Sequence, residues 1–430
     1  MAYQSPYKNF IFEGYSFDEN TGLAEFKYSF DGKQNFIEKL QLTVDLKADA
    51  VNTEVLDSAL QLAFYTVGTS YYKTFPTKNI IFKVAEPDEW QAKFLKKLYH
   101  EGLSQFYFEN NISIEEMPVF KYVDKKETAA SYAGEGSIVL QSGGKDSLLL
   151  ASLLEQENTE FSPWYIRYSN AYPEVLNQLG RPLQTVRRTL DMSALKSTSE
   201  RGALNGHVPV TYIVLSYALI DAIWQGKGAV LAAIGNEGSE AHVYIGDMPV
   251  NHQWAKTWEA EQLFAKYVYD YVSPDLQVGS PLRGFSELRI AELFVEKCWE
   301  KYGHAFSSCN RANYQQGTDN TKLKWCGECP KCANSYLLFA PFVAPKELQS
   351  LFDGQDLFTN LMLTETFKGL LGIDGVMKPF ECVGEVDELR LAYHMAWENF
   401  GTESYQLSFD VPKGDFDYKS IGRRNLALEP

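Results

Sequence analysis

The sequence predicts an α/β fold: a doubly wound parallel sheet, preceded by an α+β N-terminal domain. Two observations carry this. From residue 137 onward, short apolar runs alternate with stretches of helical periodicity, the pattern of parallel strands joined by crossover helices. Before that, two alternating runs flank an Asp-Gly turn signal, and stretches of helical spacing follow them. A chain of 430 residues has room for about two or three domains.

The elements follow in order. Residues 22–32 and 35–46 alternate apolar and polar and read as paired strands. Residues 53–75 place Val55, Leu56, Leu60, Leu62, Ala63 and Tyr65 on one broad helical face. A strand at 79–85 and a helix at 88–110 complete a domain over residues 1–125. Residues 121–136 are polar and rich in small side chains, as a linker would be. Strands are expected at 137–141, 161–168, 184–189 and 229–234, with helices at 147–156 and 208–224. The second domain is placed at 134–345, and a C-terminal segment occupies 346–430.

Composition narrows the function. A hydrophobic share of 45% supports a sizeable core. The high aromatic content suits core and half-buried strand positions. The formal net charge of −16 repels phosphate backbones and anionic membranes unless cations are focused locally. The expectation is no nucleic-acid partner and no membrane partner, with an anionic small molecule still admissible. The run at 208–224 is short for a membrane span and carries Asp221, which suits a buried helix better. The N-terminus shows no basic segment followed by an apolar run, so a cytoplasmic location is expected.

The most informative loop is SGGKDS, residues 142–147, between a strand and a helix. Phosphates bind at such places in parallel sheets, against a helix N-terminus at the carboxyl end of a strand. Gly143 and Gly144 allow close backbone approach, and successive N–H groups form an anion-binding concavity. Ser142 and Ser147 add hydroxyls and Lys145 adds a point charge. Asp146 would be repelled by bare phosphate, so it belongs beside Mg²⁺ or at the helix cap. The spacing is not that of the Walker loop. SGGKDS resembles the pyrophosphate loop, or PP-loop, of enzymes that cleave ATP between its α and β phosphates and adenylate a substrate oxygen.

Three cysteines in CGECPKC, Cys326, Cys329 and Cys332, follow Cys309. Four thiolates close a tetrahedron, so a structural zinc site is expected. The cluster resembles that of 7-cyano-7-deazaguanine synthase. An iron–sulfur cluster is the rival. Cys298 and Cys382 read as buried apolar residues.

Further strings mix polar groups in ways a core does not require. They are SYYK (70–73), NGHVPVT (205–211), GNEGSEA (235–241), VNHQWAKTWEAEQ (250–262), SSCNR (307–311) and KPFECVGE (378–385). With GGKDSL and WCGECPKC, all but GNEGSEA resemble, in order, the MurL-type UDP-N-acetylmuramoyl-L-alanyl-L-glutamate epimerase family. The resemblance runs from about residue 70 to 385. It implies inversion of the terminal L-glutamate of a UDP-muramoyl dipeptide, with ATP consumed to AMP and pyrophosphate and the D-glutamate product entering peptidoglycan synthesis.

On that footing, Ser142, Gly143, Gly144, Lys145, Ser147 and Asn236 would hold ATP, and Asp146 would hold Mg²⁺. The acid and base for inversion are sought among His207, His252, His304, Glu381 and Glu385, with Cys309 a further possibility if it binds no metal. Arg201, Lys256, Arg283, Arg311 and Lys378 are the candidate contacts to the anionic substrate. Two alternatives are a PP-loop ligase or amidotransferase acting on another carboxylate or a base, and a non-enzymatic, ATP-sensing zinc-binding module.

Overall fold

The computed structural model describes residues 3–125, 128–315, 321–401 and 406–420. The strands are β1 (Asn9–Asp18), β2 (Leu23–Phe30), β3 (Gln34–Gln41), β4 (Asn79–Phe82), β5 (Ser137–Leu140), β6 (Phe161–Arg167), β7 (Gln184–Thr189), β8 (Ala229–Leu231), β9 (Val243–Ile245), β10 (Met248–Val250) and β11 (Gln277–Gly279). In the first third lie the helices α1 (Thr53–Val67), α2 (Thr69–Tyr72), α3 (Glu89–His100) and α4 (Ser104–Glu109). Next come α5 (Lys145–Gln156), α6 (Met192–Ser199), α7 (Val210–Trp224), α8 (Trp258–Tyr267) and α9 (Glu287–Tyr302). The last are α10 (Pro330–Phe339), α11 (Pro345–Ser350), α12 (Thr364–Leu370) and α13 (Val386–Phe400).

One nine-stranded sheet runs through the molecule in the order β11-β8-β5-β6-β7-β3-β2-β1-β4. The α/β half is parallel from β11 to β7. The N-terminal strands join it through an antiparallel contact of β3 with β7, at Leu40 opposite Arg188. The expected hairpin is present: β2 and β3 pair with Phe30 opposite Gln34, and both Asp31 and Gly32 take positive φ in the turn. Strand β1, which the sequence reading did not include, pairs with β2 and runs parallel to β4.

Alternation along β5 shows the double winding. Ile138 belongs to one core with α1, α3 and α7, while Val139 belongs to the other with α5, α9, α10 and α13. Helix α7 packs on α1 across the first core, where Thr66 Oγ1 and Ser216 Oγ lie 3.0 Å apart. It is the apolar run at 208–224, nearly all buried. Among the described residues, no helix is long and apolar enough to cross a membrane. Helix α1 ends at Gly68, where a Cβ would fall 2.4 Å from Tyr99 Oη, so only glycine lets α1 approach α3 there. The last ten residues of the expected C-terminal segment lie outside the described residues.

Candidate active site

Strand β5 delivers the SGGKDS loop to the carboxyl edge of the parallel sheet, and α5 carries the chain away. Gly143 has φ +79°, and a Cβ on it would meet Leu323 Cδ1 at 2.7 Å, so the fold itself requires glycine. Gly144 differs. A Cβ there meets nothing nearer than Ser142 Oγ at 3.5 Å, so packing alone does not demand glycine. A ligand lying against the backbone would. Ser142 N donates to Ser147 Oγ (3.2 Å), and Ser147 Oγ donates to Gly144 O (3.2 Å), which closes the loop on the helix. No side chain caps α5, so its first turn keeps donor capacity for an anion. Just before the loop, Gln141 is buried, and neither amide atom is hydrogen-bonded among the described residues. An orphaned buried amide costs about 1–3 kcal/mol, which a bound polar group would relieve.

Lys145 is 5 % exposed, and its ammonium donates to Asp146 Oδ1 (2.7 Å) and Glu287 Oε2 (2.6 Å). Burial works against all three charges. The two carboxylates nevertheless hold Lys145 protonated, and Lys145 keeps Asp146 below its usual range. Glu287 is pushed up by burial, against the pull of Lys145. Glu287 begins α9, 142 positions away in sequence from its partner.

Three further strings converge here. In GNEGSEA, Glu237 accepts from Lys256 (3.3 Å), and Asn236 and Glu237 line a cavity of about 360 Å³ together with Ser239, Asn251 and Trp254. The turn after β10 bridges two loops: Asn251 Nδ2 donates to Gly238 O (2.7 Å) and Gln253 Nε2 to Val383 O (2.8 Å). In KPFECVGE, Lys378 donates to Glu240 Oε2 (2.7 Å), Glu381 accepts from Asn310 Nδ2 (2.9 Å), and Glu385 accepts from Ser239 Oγ. Arg283 is fully buried. It ion-pairs with Glu261 and donates to the carbonyls of Gly235 and Lys256 (2.7 and 2.9 Å), so it fixes the backbone of both loops.

Lys256 connects the loop to the rest of the cluster. Burial opposes its charge, but Cys382, Glu237, Asp146 and Glu287 more than offset that and keep it protonated. Lys256 and Lys331 both act on Asp146, and both act on Cys382. Cys382, expected to be buried, is half-buried. Burial alone would raise its thiol; Lys256, Lys331 and His252 bring it down to about 6.

The imidazoles form the next layer. His252 Nδ1 lies 2.6 Å from Gln105 Oε1, and Gln105 Nε2 donates to Glu109 Oε1 at 2.8 Å. The carboxylate fixes which way the amide points, so Gln105 accepts and His252 carries its proton on Nδ1. The His207 ring packs 4.4 Å from that of His252. Burial first, then His252 and Lys73, hold His207 neutral. Lys73 is lowered to about 8 by burial and by Arg188, and it donates to Asn205 Oδ1 and Gly206 O (2.7 and 2.8 Å), which ties SYYK to NGHVPVT.

Three expected contributors stand apart. His304 is exposed beside Trp299. Arg201 binds Gln34 and Tyr7 of the N-terminal region. Arg311 pairs with Glu328 on the cysteine turn (3.2 Å).

The four cysteines come together. All four sulfurs lie within 4.8 Å of one another, with Cys309–Cys329 at 3.6 Å, Cys326–Cys332 at 3.7 Å and Cys329–Cys332 at 3.5 Å. A tetrahedral ion with metal–sulfur bonds of about 2.3 Å separates its sulfurs by about 3.8 Å. The cluster can therefore hold a single metal ion, whereas a cluster of several irons needs wider spacing. The backbone N–H groups of Ala312 and Glu328 donate to the sulfurs of Cys309 and Cys326 (both 3.4 Å). Cys329 is the N-cap of α10, and Asn334 of that helix accepts from Gly384 N (2.9 Å). The cysteine knot thus holds the loop that carries Cys382.

Comparison with known proteins gives the family. The MurL N-terminal domain model matches residues 1–280, and the MurL C-terminal domain model matches residues 305–406. Three relatives bear the name UDP-N-acetyl-alpha-D-muramoyl-L-alanyl-L-glutamate epimerase. The protein from Xanthomonas oryzae pv. oryzae is 31% identical over 386 residues, covering 89% of this chain and 84% of the relative. That from Salinispora tropica is 31% identical over 402 residues (91% and 85%), and that from a Micromonospora species 30% over 398 residues (90% and 87%). The chain belongs to the MurL family.

Proposed function

We propose that this protein inverts the terminal L-glutamate of UDP-N-acetylmuramoyl-L-alanyl-L-glutamate, using ATP to form an acyl-adenylate and releasing AMP and pyrophosphate. The names of the relatives support the epimerisation and its substrate. The observation that carries the ATP requirement is the SGGKDS loop at the junction of β5 and α5, where Gly144 is open, α5 has no side-chain cap and the Gln141 amide has no partner among the described residues.

The chemistry needs both halves. Removing the α-proton of a free carboxylate places a second negative charge beside the first. Adenylation removes the first charge and makes the proton accessible to a side-chain base. Return of a proton to the other face gives the D centre, and hydrolysis releases the product for peptidoglycan precursor synthesis, which would place the enzyme in the cytoplasm. Ser142, Gly143, Gly144, Lys145 and Ser147 would hold the triphosphate in a PP-loop, with Asn236 beside it. Asp146 would bind Mg²⁺, which offsets charge on the leaving pyrophosphate. Lys256 and Lys378 would meet the anionic substrate. His207, His252, Glu381 and Glu385 sit in the converging strings where proton transfer would occur. Cys309, Cys326, Cys329 and Cys332 would bind a structural zinc, which leaves Cys309 no role in inversion.

The test is a pyrophosphate-release assay with ATP, Mg²⁺ and the UDP-muramoyl dipeptide, followed by chiral analysis of the glutamate. The reading expects pyrophosphate and D-glutamate together, and loss of both in Asp146→Ala. Pyrophosphate without inversion would move the protein to ligase chemistry. ATP binding without pyrophosphate would make it a sensor.

A further inference from the structure

The loop lysine has a distant partner to which the proposed mechanism gives no part. We propose that Glu287 is a positioning residue for Lys145 of the SGGKDS loop, holding its ammonium so that one donor stays turned toward a bound phosphate. The inference rests on the ATP reading and names the group that sets its loop lysine.

The argument is geometric. An ammonium has three donors. Lys145 gives one to Asp146 Oδ1 (2.7 Å) and one to Glu287 Oε2 (2.6 Å), and among the described residues it has no third partner. The side chain is buried, so that donor is left for a ligand rather than for bulk water. Asp146 is carried by the same loop as the lysine. Glu287 comes from α9 and is anchored independently. Ser286 caps that helix, its Oγ accepting from Arg289 N (3.2 Å) and donating to Tyr418 O (3.3 Å). Leu288 N donates to Glu388 Oε1 of α13 (2.7 Å).

The other oxygen of Glu287 faces a second loop. Asn236 N donates to Phe285 O (2.7 Å), and a Cβ on Gly235 would meet Ile290 Cδ1 at 2.6 Å, so the GNEGSEA loop lies directly against the start of α9. The same Cβ would stand 3.5 Å from Glu287 Oε1. One carboxylate therefore holds the SGGKDS lysine and touches GNEGSEA, the two segments expected to hold ATP. Glu287 is the first residue of α9, where the helix dipole favours negative charge. A buried ion pair adds little net stability, so folding alone does not account for this one.

The test compares pyrophosphate release, and ATP binding by titration calorimetry, in the full chain and four variants of it. These are Glu287→Asp, Glu287→Gln, Lys145→Gln and the double variant Glu287→Gln with Lys145→Gln. Glu287→Asp keeps the charge but withdraws it by one methylene, and kcat should fall about 10²-fold. Glu287→Gln keeps the length but replaces a charge-assisted bond by a neutral one, and kcat should fall about tenfold. In both, the KM for the UDP-muramoyl dipeptide should not change. Thermal unfolding should move little, because Asp146 still pairs with Lys145. The double variant should bind ATP and release pyrophosphate no worse than Lys145→Gln alone, since Glu287 has nothing to position once the lysine is gone.

A melting temperature that falls in step with activity overturns the proposal. So does a double variant weaker than Lys145→Gln, because Glu287 would then act apart from the lysine. If the unaltered chain binds no ATP and releases no pyrophosphate, the ATP reading falls and this inference with it. Equal release by the unaltered chain and both single Glu287 variants sinks the inference alone.

Discussion

Two buried ion-pair networks in this molecule look alike and differ in one respect. At the junction of β3 and β7, Arg188 pairs with Glu38 through Nε and Nη2 (2.6 and 3.3 Å) and donates to Ser70 Oγ (3.0 Å), while Tyr217 donates to Glu38 (2.6 Å). These groups satisfy one another. At the carboxyl edge of the parallel sheet, Lys145 pairs with Asp146 and Glu287, yet the surroundings stay unsatisfied. Among the described residues Gln141 has no partner for its amide, and α5 has no side-chain cap. A saturated network is a structural joint. An unsaturated one at a strand end is a site prepared for a ligand.

Substitutions can break this comparison. The largest effect belongs to the site: Asp146→Ala should lower pyrophosphate release by at least about 10²–10³-fold, with thermal unfolding moved little. A similar loss of stability would make the loop a structural joint too. At the junction, Arg188→Met should destabilise by about 3–5 kcal/mol, because it leaves Glu38 buried and unpaired. Denaturant unfolding reads this. Activity retained at low temperature would show that the junction takes no part in chemistry.

The cysteine cluster comes next. Cys326→Ser should lower bound metal from one ion per chain and reduce thermal stability, because metal binding is coupled to folding. Cys382→Ala should leave the metal content unchanged. Equal loss from both would place Cys382 among the ligands.

The smallest effect sharpens the structural side. Asp221 donates nothing and accepts from Trp164 Nε1 (2.8 Å) and Gln225 Nε2 (2.7 Å), with Oδ1 left alone. Burial raises its carboxyl to about 7, and the two hydrogen bonds only partly oppose this. The unfolded chain loses this proton near pH 4, while the folded chain keeps it to about 7. Stability should therefore fall as pH rises between those values. Asp221→Asn should remove that slope and raise the melting temperature more at pH 8 than at pH 4. An unchanged slope would show that Asp221 is ionised in the fold.

Much of this architecture was legible in the sequence, and the limits have physical causes. The parallel strands and α5 follow from period and turn chemistry, which are local. The Asp-Gly turn forced the β2–β3 hairpin for the same reason. Strand β1 was missed although its partners lie close in sequence; its run NFIFEGYSF begins with consecutive apolar residues that hide the alternation, and Gly14 sits where its register shifts. The single continuous sheet depends on β3 meeting β7, a contact between distant segments that no local pattern announces. In the site, the loop and the cysteines carried their own spacing. Glu287 carried none, because a helix N-terminus so far along the chain gives no sign of pairing with Lys145. Cys382 lay in a string already singled out, but no spacing rule shows that its thiol is only half-buried. Ser70, in the string SYYK, accepts from Arg188 at the junction.

The central claim is that carboxylate activation and proton transfer happen in one site, so that the second depends on the first. The most direct measurement is deuterium incorporation from D₂O at the glutamate α-carbon of the UDP-muramoyl dipeptide, with and without ATP. The account predicts incorporation only when ATP and Mg²⁺ are both present, and none in Asp146→Ala. Incorporation without ATP would contradict it, since the proton would then be removed from an unactivated carboxylate.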